Sequence, residues 1–241
     1  MRHDDDQWEK FLVRRDVVES MLSPSDQPSS RRPARIVHIA GYDFHSYRER
    51  YFDASEGEEM KLRHLTISIT YEGALIGTAK LREWSLPGFC SPEAFWETAD
   101  GLSQEDTDAA ELLGAFWEWH QWPPQYGNVV IFSRLAIDSR RDTGRKGLRR
   151  LGDYLEVEFG RRASVLLLKA FPLEFEHAVG SDLVDRQVLF DRRSHAMLRL
   201  YRETLRVEPL SDHGRLTNWM WRPLRYCPAP ARAPNVNWHE E

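Results

Sequence analysis

The sequence predicts a mixed α/β (α+β) fold, and three stretches carry the prediction. "RHLTISITYEGALIGTAKLREW" holds two β-rich runs that meet at Glu72-Gly73, where glycine supplies the positive φ of a tight hairpin, so part of the sheet is antiparallel. "NVVIFSRLAID" is apolar and β-branched, as a central strand is. Beyond Gly144, Leu148, Leu151, Leu155 and Phe159 return at spacings of three and four, one face of a helix. Between hairpin and central strand, "SPEAFWETADGLSQEDTDAAELLGAFWEWHQWPPQYG" reads as an inserted helical segment. It has a Ser-Pro start, acidic first turns and a stop at two prolines, and it carries an aromatic face of Phe116, Trp117 and Trp119.

Composition bounds the function. The chain has 241 residues, 41% hydrophobic and 29% charged, which fits one elaborated globular domain or a domain with an arm. A net charge of −5 argues against general nucleic-acid binding and leaves only local basic clusters to meet phosphates. Cys90 and Cys227 are the only cysteines and have no ligand spacing around them, so neither a disulfide scaffold nor a metal site is expected. The start, "MRHDDDQWEK", is too acidic for a signal peptide, and no apolar run reaches membrane-span length, so a cytoplasmic location is expected.

The remaining elements follow in order. Residues 1–33 read as a helical arm, with Trp8, Phe11, Leu12 and Val18 at helical spacing, ending in the Ser/Pro-rich linker "SPSDQPSSRRP". The domain spans residues 34–226, with the insertion at 87–126, and residues 227–241 form a Pro-rich tail. "ARIVHIAGYDF" starts the domain as a strand running into "HSYRERYFDAS", which reads as the beginning of a helix or an ordered loop.

The joint between central strand and helix carries the chemistry. Arg145, Lys146, Arg149 and Arg150 crowd the first turns of the helix, where the dipole prefers acids; an anion seated there explains them. Unpaired N–H groups of the first turn, glycines that admit a ligand to the backbone, and flanking cations together suit a pyrophosphate. A basic helix face in water gives the same pattern. No GxxxxGK[ST] occurs, and Gly144 and Gly147 are too few for a dinucleotide fingerprint.

Here the chain resembles the GNAT superfamily of N-acetyltransferases. In that family a strand leads into a loop of pattern Arg/Gln-x-x-Gly-x-Gly/Ala and then a helix that receives the pyrophosphate of acetyl-coenzyme A. "LAIDSRRDTGRKGLRRLGDYLE" has this shape: Arg141-x-x-Gly144 fits the first half, while Lys146 stands in the last Gly/Ala slot with Gly147 one place later. "SHAMLRLYRETLRVEPL" resembles the family's Asn-x-x-Ala-x-x-Leu-Tyr helix, with Ser194 in the Asn slot, Met197 in the Ala slot, and Leu200-Tyr201 in place. "SVLLLKAFPLEFE" matches the family's fifth strand, and "TNWMWRPL" closes the sheet. The resemblance covers about Arg35 to Leu224. It implies a mixed, mostly antiparallel central sheet flanked by helices, with the Trp-rich insertion between the hairpin and the central strand.

For function, the resemblance implies transfer of an acyl group from acetyl-CoA, or another acyl-CoA, to an amine by direct attack. Tyr201 is then the general acid for the departing thiolate. Leu135, Ala136 and Ile137 present backbone N–H groups, and Arg140, Arg141, Thr143, Gly144, Arg145, Lys146, Gly147 and Ser194 complete the cofactor site. A base must take the amine's proton: Glu83 and His120 are the candidates, with Glu174 and Glu176 weaker. Trp117 and Trp119 line the acceptor or acyl pocket. The acceptor is a small-molecule or protein amine, and a homodimer is compatible with this reading. Lys146 in the glycine slot and the absent Gly-Phe after Tyr201 favour an alternative, a non-catalytic or regulatory protein of this fold that binds CoA or a partner. "FSRLAIDSR" and "GTAKLREW" also resemble acyl-homoserine-lactone and N-acyl-amino-acid synthases, which would take the acyl group from acyl-CoA or an acyl-carrier protein.

Overall fold

The structure, a computed structural model, describes residues 33–54, 59–138, 142, 145–170, 183–210 and 217–231. Outside them lie residues 1–32 of the predicted arm, Glu174 and Glu176, and the loop residues Arg140, Arg141, Thr143 and Gly144.

The described strands are β1 (Arg35–Ile39), β2 (Tyr42–Arg48), β3 (Phe52–Asp53), β4 (Lys61–Tyr71), β5 (Ala74–Ser85), β6 (Asn128–Ile137), β7 (Ala163–Lys169), β8 (Glu208–Pro209) and β9 (Trp219–Pro223). They form one open sheet in the order β1-β2-β4-β5-β6-β7-β9-β8, with β3 also on β4. Only β6 and β7 run parallel; the other neighbours are antiparallel. Among the described residues four helices flank the sheet: α1 (Pro92–Asp100), α2 (Gln104–Phe116), α3 (Lys146–Phe159) and α4 (Leu183–Leu205).

The β4–β5 hairpin turns at Glu72 (φ 50°) and Gly73 (φ 76°), both in the left-handed region that a two-residue hairpin turn requires. The segment "HSYR" departs from expectation: it belongs to β2, not to a helix. Ala40 and Gly41 turn the chain with positive φ, and Tyr42, Phe44 and Ser46 then point inward on alternate residues. The aromatic and basic residues on the other positions hide that period of two.

The insertion is two helices rather than one. Ser91 caps α1, accepting from the Ala94 N–H at 3.1 Å, with Pro92 in the first turn; Ser103 caps α2, accepting from Asp106 N–H at 3.2 Å. α2 ends at Phe116, so Trp117 and Trp119 lie beyond it on extended chain and a short 3₁₀ turn (Trp119–Gln121), and share no helical face.

Two cores sandwich the sheet. On one face Leu148, Leu151, Leu155 and Phe159 of α3, with Leu198, Tyr201 and Leu205 of α4, pack on Ile67, Leu81, Phe132 and Leu168. Gly152 lets α3 approach α4 closely, and buried Arg222 of β9 donates to the carbonyls of Leu205 (2.7 Å) and Gly152 (3.0 Å), stitching both helices to the sheet. On the other face α1 and α2 cover a tryptophan-rich core of Trp84, Trp117, Trp122 and Trp219. The tail begins as a strap over this face: Ala231 N–H donates to the Phe116 carbonyl and the Trp117 indole to the Pro228 carbonyl, both at 2.8 Å.

Candidate functional site

Among the described strands, the one parallel pair stops short of the end of β6, because β7 ends at Lys169. Pairing of β6 with β7 ends at Phe132 and Leu168, yet β6 continues to Ile137, held by β5 through Leu135–Ala79, Ala136–Thr78 and Ile137–Gly77. At the parting point β6 bulges: Lys80 faces Arg134 and Leu81 faces Phe132, which leaves Ser133 as the extra residue. Bulges bend a strand, and this one sits where β6 leaves β7. Gly77 is needed here, because a Cβ on it would stand 2.8 Å from the Ala136 carbonyl oxygen.

Beside the opening is the N-terminus of α3. Arg145 precedes the helix in left-handed conformation (φ 60°) and pairs with Glu203 of α4 at 2.8 Å. Lys146 is exposed in the first turn and Gly147 is buried. The anion expected among these cations comes from the chain itself. Asp142, buried, accepts from the Gly147 N–H at 2.6 Å and the Leu148 N–H at 3.2 Å. Burial raises the Asp142 carboxyl pKa, and the hydrogen bonds from Gly147 and Leu148 offset that only in part. The free N–H groups expected at this helix start are therefore occupied. Asp142 is the lone acid in a basic run, a signal the basic pattern overshadows.

Across α3 lies α4, whose inner face carries Ser194, Leu198, Tyr201 and Leu205. Ser194 is 2% exposed and its hydroxyl makes no hydrogen bond. Tyr201 packs in the core that also holds Phe132, Ile137 and Leu168, and burial pushes its hydroxyl pKa up, so it stays protonated through the neutral range. The structure thus gathers Leu135, Ala136, Ile137, Arg145, Gly147, Ser194 and Tyr201 on the elements around the parting strands.

The opposite face is polar under α2. Arg82 of β5 donates to Ser103 (2.5 Å), Asp106 and Glu105 (2.6 Å), while the Trp84 indole donates to Asp106 at 3.0 Å. Lys169, the last residue of β7, pairs with Asp108 at 3.2 Å. Glu105 stands beside bulged Ser133, whose buried hydroxyl, like Arg82, favours the charged carboxylate. Burial raises the Glu105 pKa although Arg82 pulls it down. Sequence pattern shows this residue only as part of an acidic first turn.

Glu83 of β5 pairs with Val130 of β6, before the end of the β6–β7 pairing. Glu83 is sealed: its carboxylate accepts from Arg63 Nε (2.9 Å) and Nη2 (2.5 Å), Arg162 Nε (2.8 Å) and Asn128 Nδ2 (2.8 Å). Burial alone would raise its pKa, but the bonds and charges of Arg162, Asn128 and Arg63 outweigh it and hold the carboxyl below its ordinary range. A carboxylate so satisfied is a structural ion and a poor proton acceptor. The network continues through Arg162 to Glu158 (2.7 Å), which Arg35 and Arg48 also bind. His120 lies on the exposed 3₁₀ turn with only Glu118 beside it, at 3.4 Å. Trp117 is a core residue, edge-on to Trp221 with ring centroids 5.4 Å apart; Trp119 is half exposed.

Among the described residues no group of three or more His, Cys, Asp or Glu side chains is placed to hold a metal, and no helix is long and apolar enough to cross a membrane. No family model and no curated protein matches the chain. Among solved structures, a crystal structure of a point mutant of KacT is similar at 16% identity, over 68% of this chain and 71% of that one, with a TM-score of 0.32. A likeness at that score says nothing about function.

Proposed function

We propose that the chain is an acyl-CoA-dependent N-acyltransferase of GNAT type, transferring an acetyl group, or another acyl group, to a primary amine. The observation that carries this reading is the parting of β6 from β7 at Phe132–Leu168, flanked by the start of α3 and the inner face of α4. A slot between two parallel strands offers strand edges to a slender amide-bearing chain such as pantetheine. The unpartnered, buried Ser194 hydroxyl supplies a polar contact on the α4 side.

Bound there, the thioester supplies an activated acyl carbon and a thiolate leaving group. Tyr201, kept protonated by burial, gives that thiolate its proton. A pyrophosphate at α3 must take the Gly147 and Leu148 N–H groups from Asp142, and the raised pKa of this buried carboxyl weakens its hold on its own seat. Arg145 and Lys146 flank that seat.

The same carboxylate favours a second reading: a non-catalytic protein of this fold, in which Asp142 permanently fills the anion site. Calorimetry with coenzyme A, together with mass spectrometry of the purified full chain for a carried-over acyl-CoA, separates the two from a protein with no such ligand. Micromolar binding supports the acyltransferase reading; no binding at millimolar coenzyme A removes it.

A further inference from the structure

We propose that Glu105 of α2 is the residue that accepts the proton of the amine substrate, an assignment that rests on the acyltransferase reading above. The sheet has two faces at the parting point, and they differ in kind. Tyr201 and α3 lie on one; α2 lies on the other, where Ser133 of β6 and Lys169 of β7 flank the opening. An acyl carbon held between the strands therefore loses its thiolate toward Tyr201 and meets the amine from the α2 side. The amine's proton and the thiolate's proton are then handled by two different groups, one on each face of the sheet.

Glu105 is the carboxylate that stands beside Ser133 on that side, with its side chain 23% exposed and hence reachable, unlike Glu83 at 0%. Glu105 shares Arg82 with Asp106, which is buried and also accepts from Trp84, while Asp108 is held by Lys169 and Gln104. The charged groups that face Glu105 are Arg82 of β5, Arg134 of β6 and Asp106 of its own helix. The first two favour the carboxylate and the third disfavours it, and burial raises the carboxyl pKa against the two cations. A desolvated, partly open carboxylate of raised pKa is a better proton acceptor than one clamped by three donors.

The step balances without further reactants. The ammonium gives one proton to the Glu105 carboxylate, and the freed amine lone pair forms the C–N bond. The C–S bond of the thioester then breaks, the thiolate takes the Tyr201 proton, and the second proton shed by the attacking nitrogen passes through solvent to restore the Tyr201 hydroxyl. Glu105 returns its proton to solvent.

The test is steady-state acyl transfer by the full chain, with acetyl-CoA as donor and a panel of primary amines, as a function of pH. Glu105→Gln keeps the acceptor oxygen for Arg82 and should lower kcat by roughly 10²- to 10⁴-fold. It should also abolish the acid limb of the pH–rate profile and leave acetyl-CoA affinity unchanged. In Glu105→Ala, added formate should restore part of the lost rate, which a purely structural role for Glu105 does not allow. A Glu105→Gln enzyme with wild-type kcat and acid limb overturns the assignment while leaving the acyltransferase reading intact. A wild type that neither binds acetyl-CoA nor releases thiol overturns both.

Discussion

The Asp142 carboxylate accepts the Gly147 backbone N–H at 2.6 Å, so the start of α3 carries an internal anion where the basic residues around it suggest an external one. A cap of this kind contributes about 1 kcal/mol to a helix. Asp142→Ala should therefore lower stability by about 1 kcal/mol and, because the competitor is gone, tighten coenzyme A binding. Denaturant melts and calorimetry on the same variant read both effects. A variant that loses coenzyme A affinity would show instead that Asp142 assists the ligand.

Glu83 anchors a buried ion network, and removing its charge leaves Arg63 and Arg162 short of a partner. Glu83→Gln should destabilise the fold by about 3 kcal/mol at neutral pH. The sign with pH follows from the lowered pKa. The contribution is complete above the carboxyl's ordinary value of 4.5 and is lost as pH falls through the lower folded-state value, so wild type and variant should converge in strong acid. Urea melts at neutral pH and in strong acid measure this convergence; a gap that widens on acidification contradicts it.

A Cβ on Gly152 would stand 2.7 Å from the Thr204 carbonyl oxygen, backbone against backbone, where α3 crosses α4. Gly152→Ala must push the two helices apart, at a cost of about 1–3 kcal/mol. Tyr201 rides on α4, so turnover should fall along with the melting temperature. A fully stable Gly152→Ala protein would place the contact differently.

Trp117 and Trp119 should part company on substitution. Trp117→Ala removes a buried ring and its bond to the Pro228 carbonyl and should cost about 3–5 kcal/mol, loosening the strap formed by the start of the tail. Trp119→Ala, at a half-exposed site, should leave the melting temperature in place. Thermal melts of both variants, read with the amine KM of the Trp119 variant, show whether Trp119 meets a substrate.

Much of the frame is legible in the sequence because it is local. The Glu72-Gly73 turn, the Ser91-Pro92 helix start and the three-four spacing of Leu148, Leu151, Leu155 and Phe159 each act within a few residues, and the structure forms all of them. Features that local pattern does not show depend on distant partners. Glu83 reads as a candidate base until Arg63, Asn128 and Arg162 close over it from three other segments. Trp117 reads as helical until the strap fixes it beyond the helix end. Asp142 and Glu105 are silent for the same reason, since one answers to the N–H groups of the following helix and the other to the bulge at Ser133, far along the chain.

The decisive experiment is thiol release from acetyl-CoA, with and without a primary amine, by wild type and by Tyr201→Phe at matched cofactor saturation. Wild type should release thiol only when the amine is present. In Tyr201→Phe, kcat should be roughly 10²- to 10⁴-fold lower, with acetyl-CoA affinity and melting temperature unchanged, because the substitution removes a proton and keeps the ring. Acetyl-CoA bound by a wild type that acylates no amine, or a Tyr201→Phe enzyme as fast as wild type, would refute an acyltransferase that works through this tyrosine.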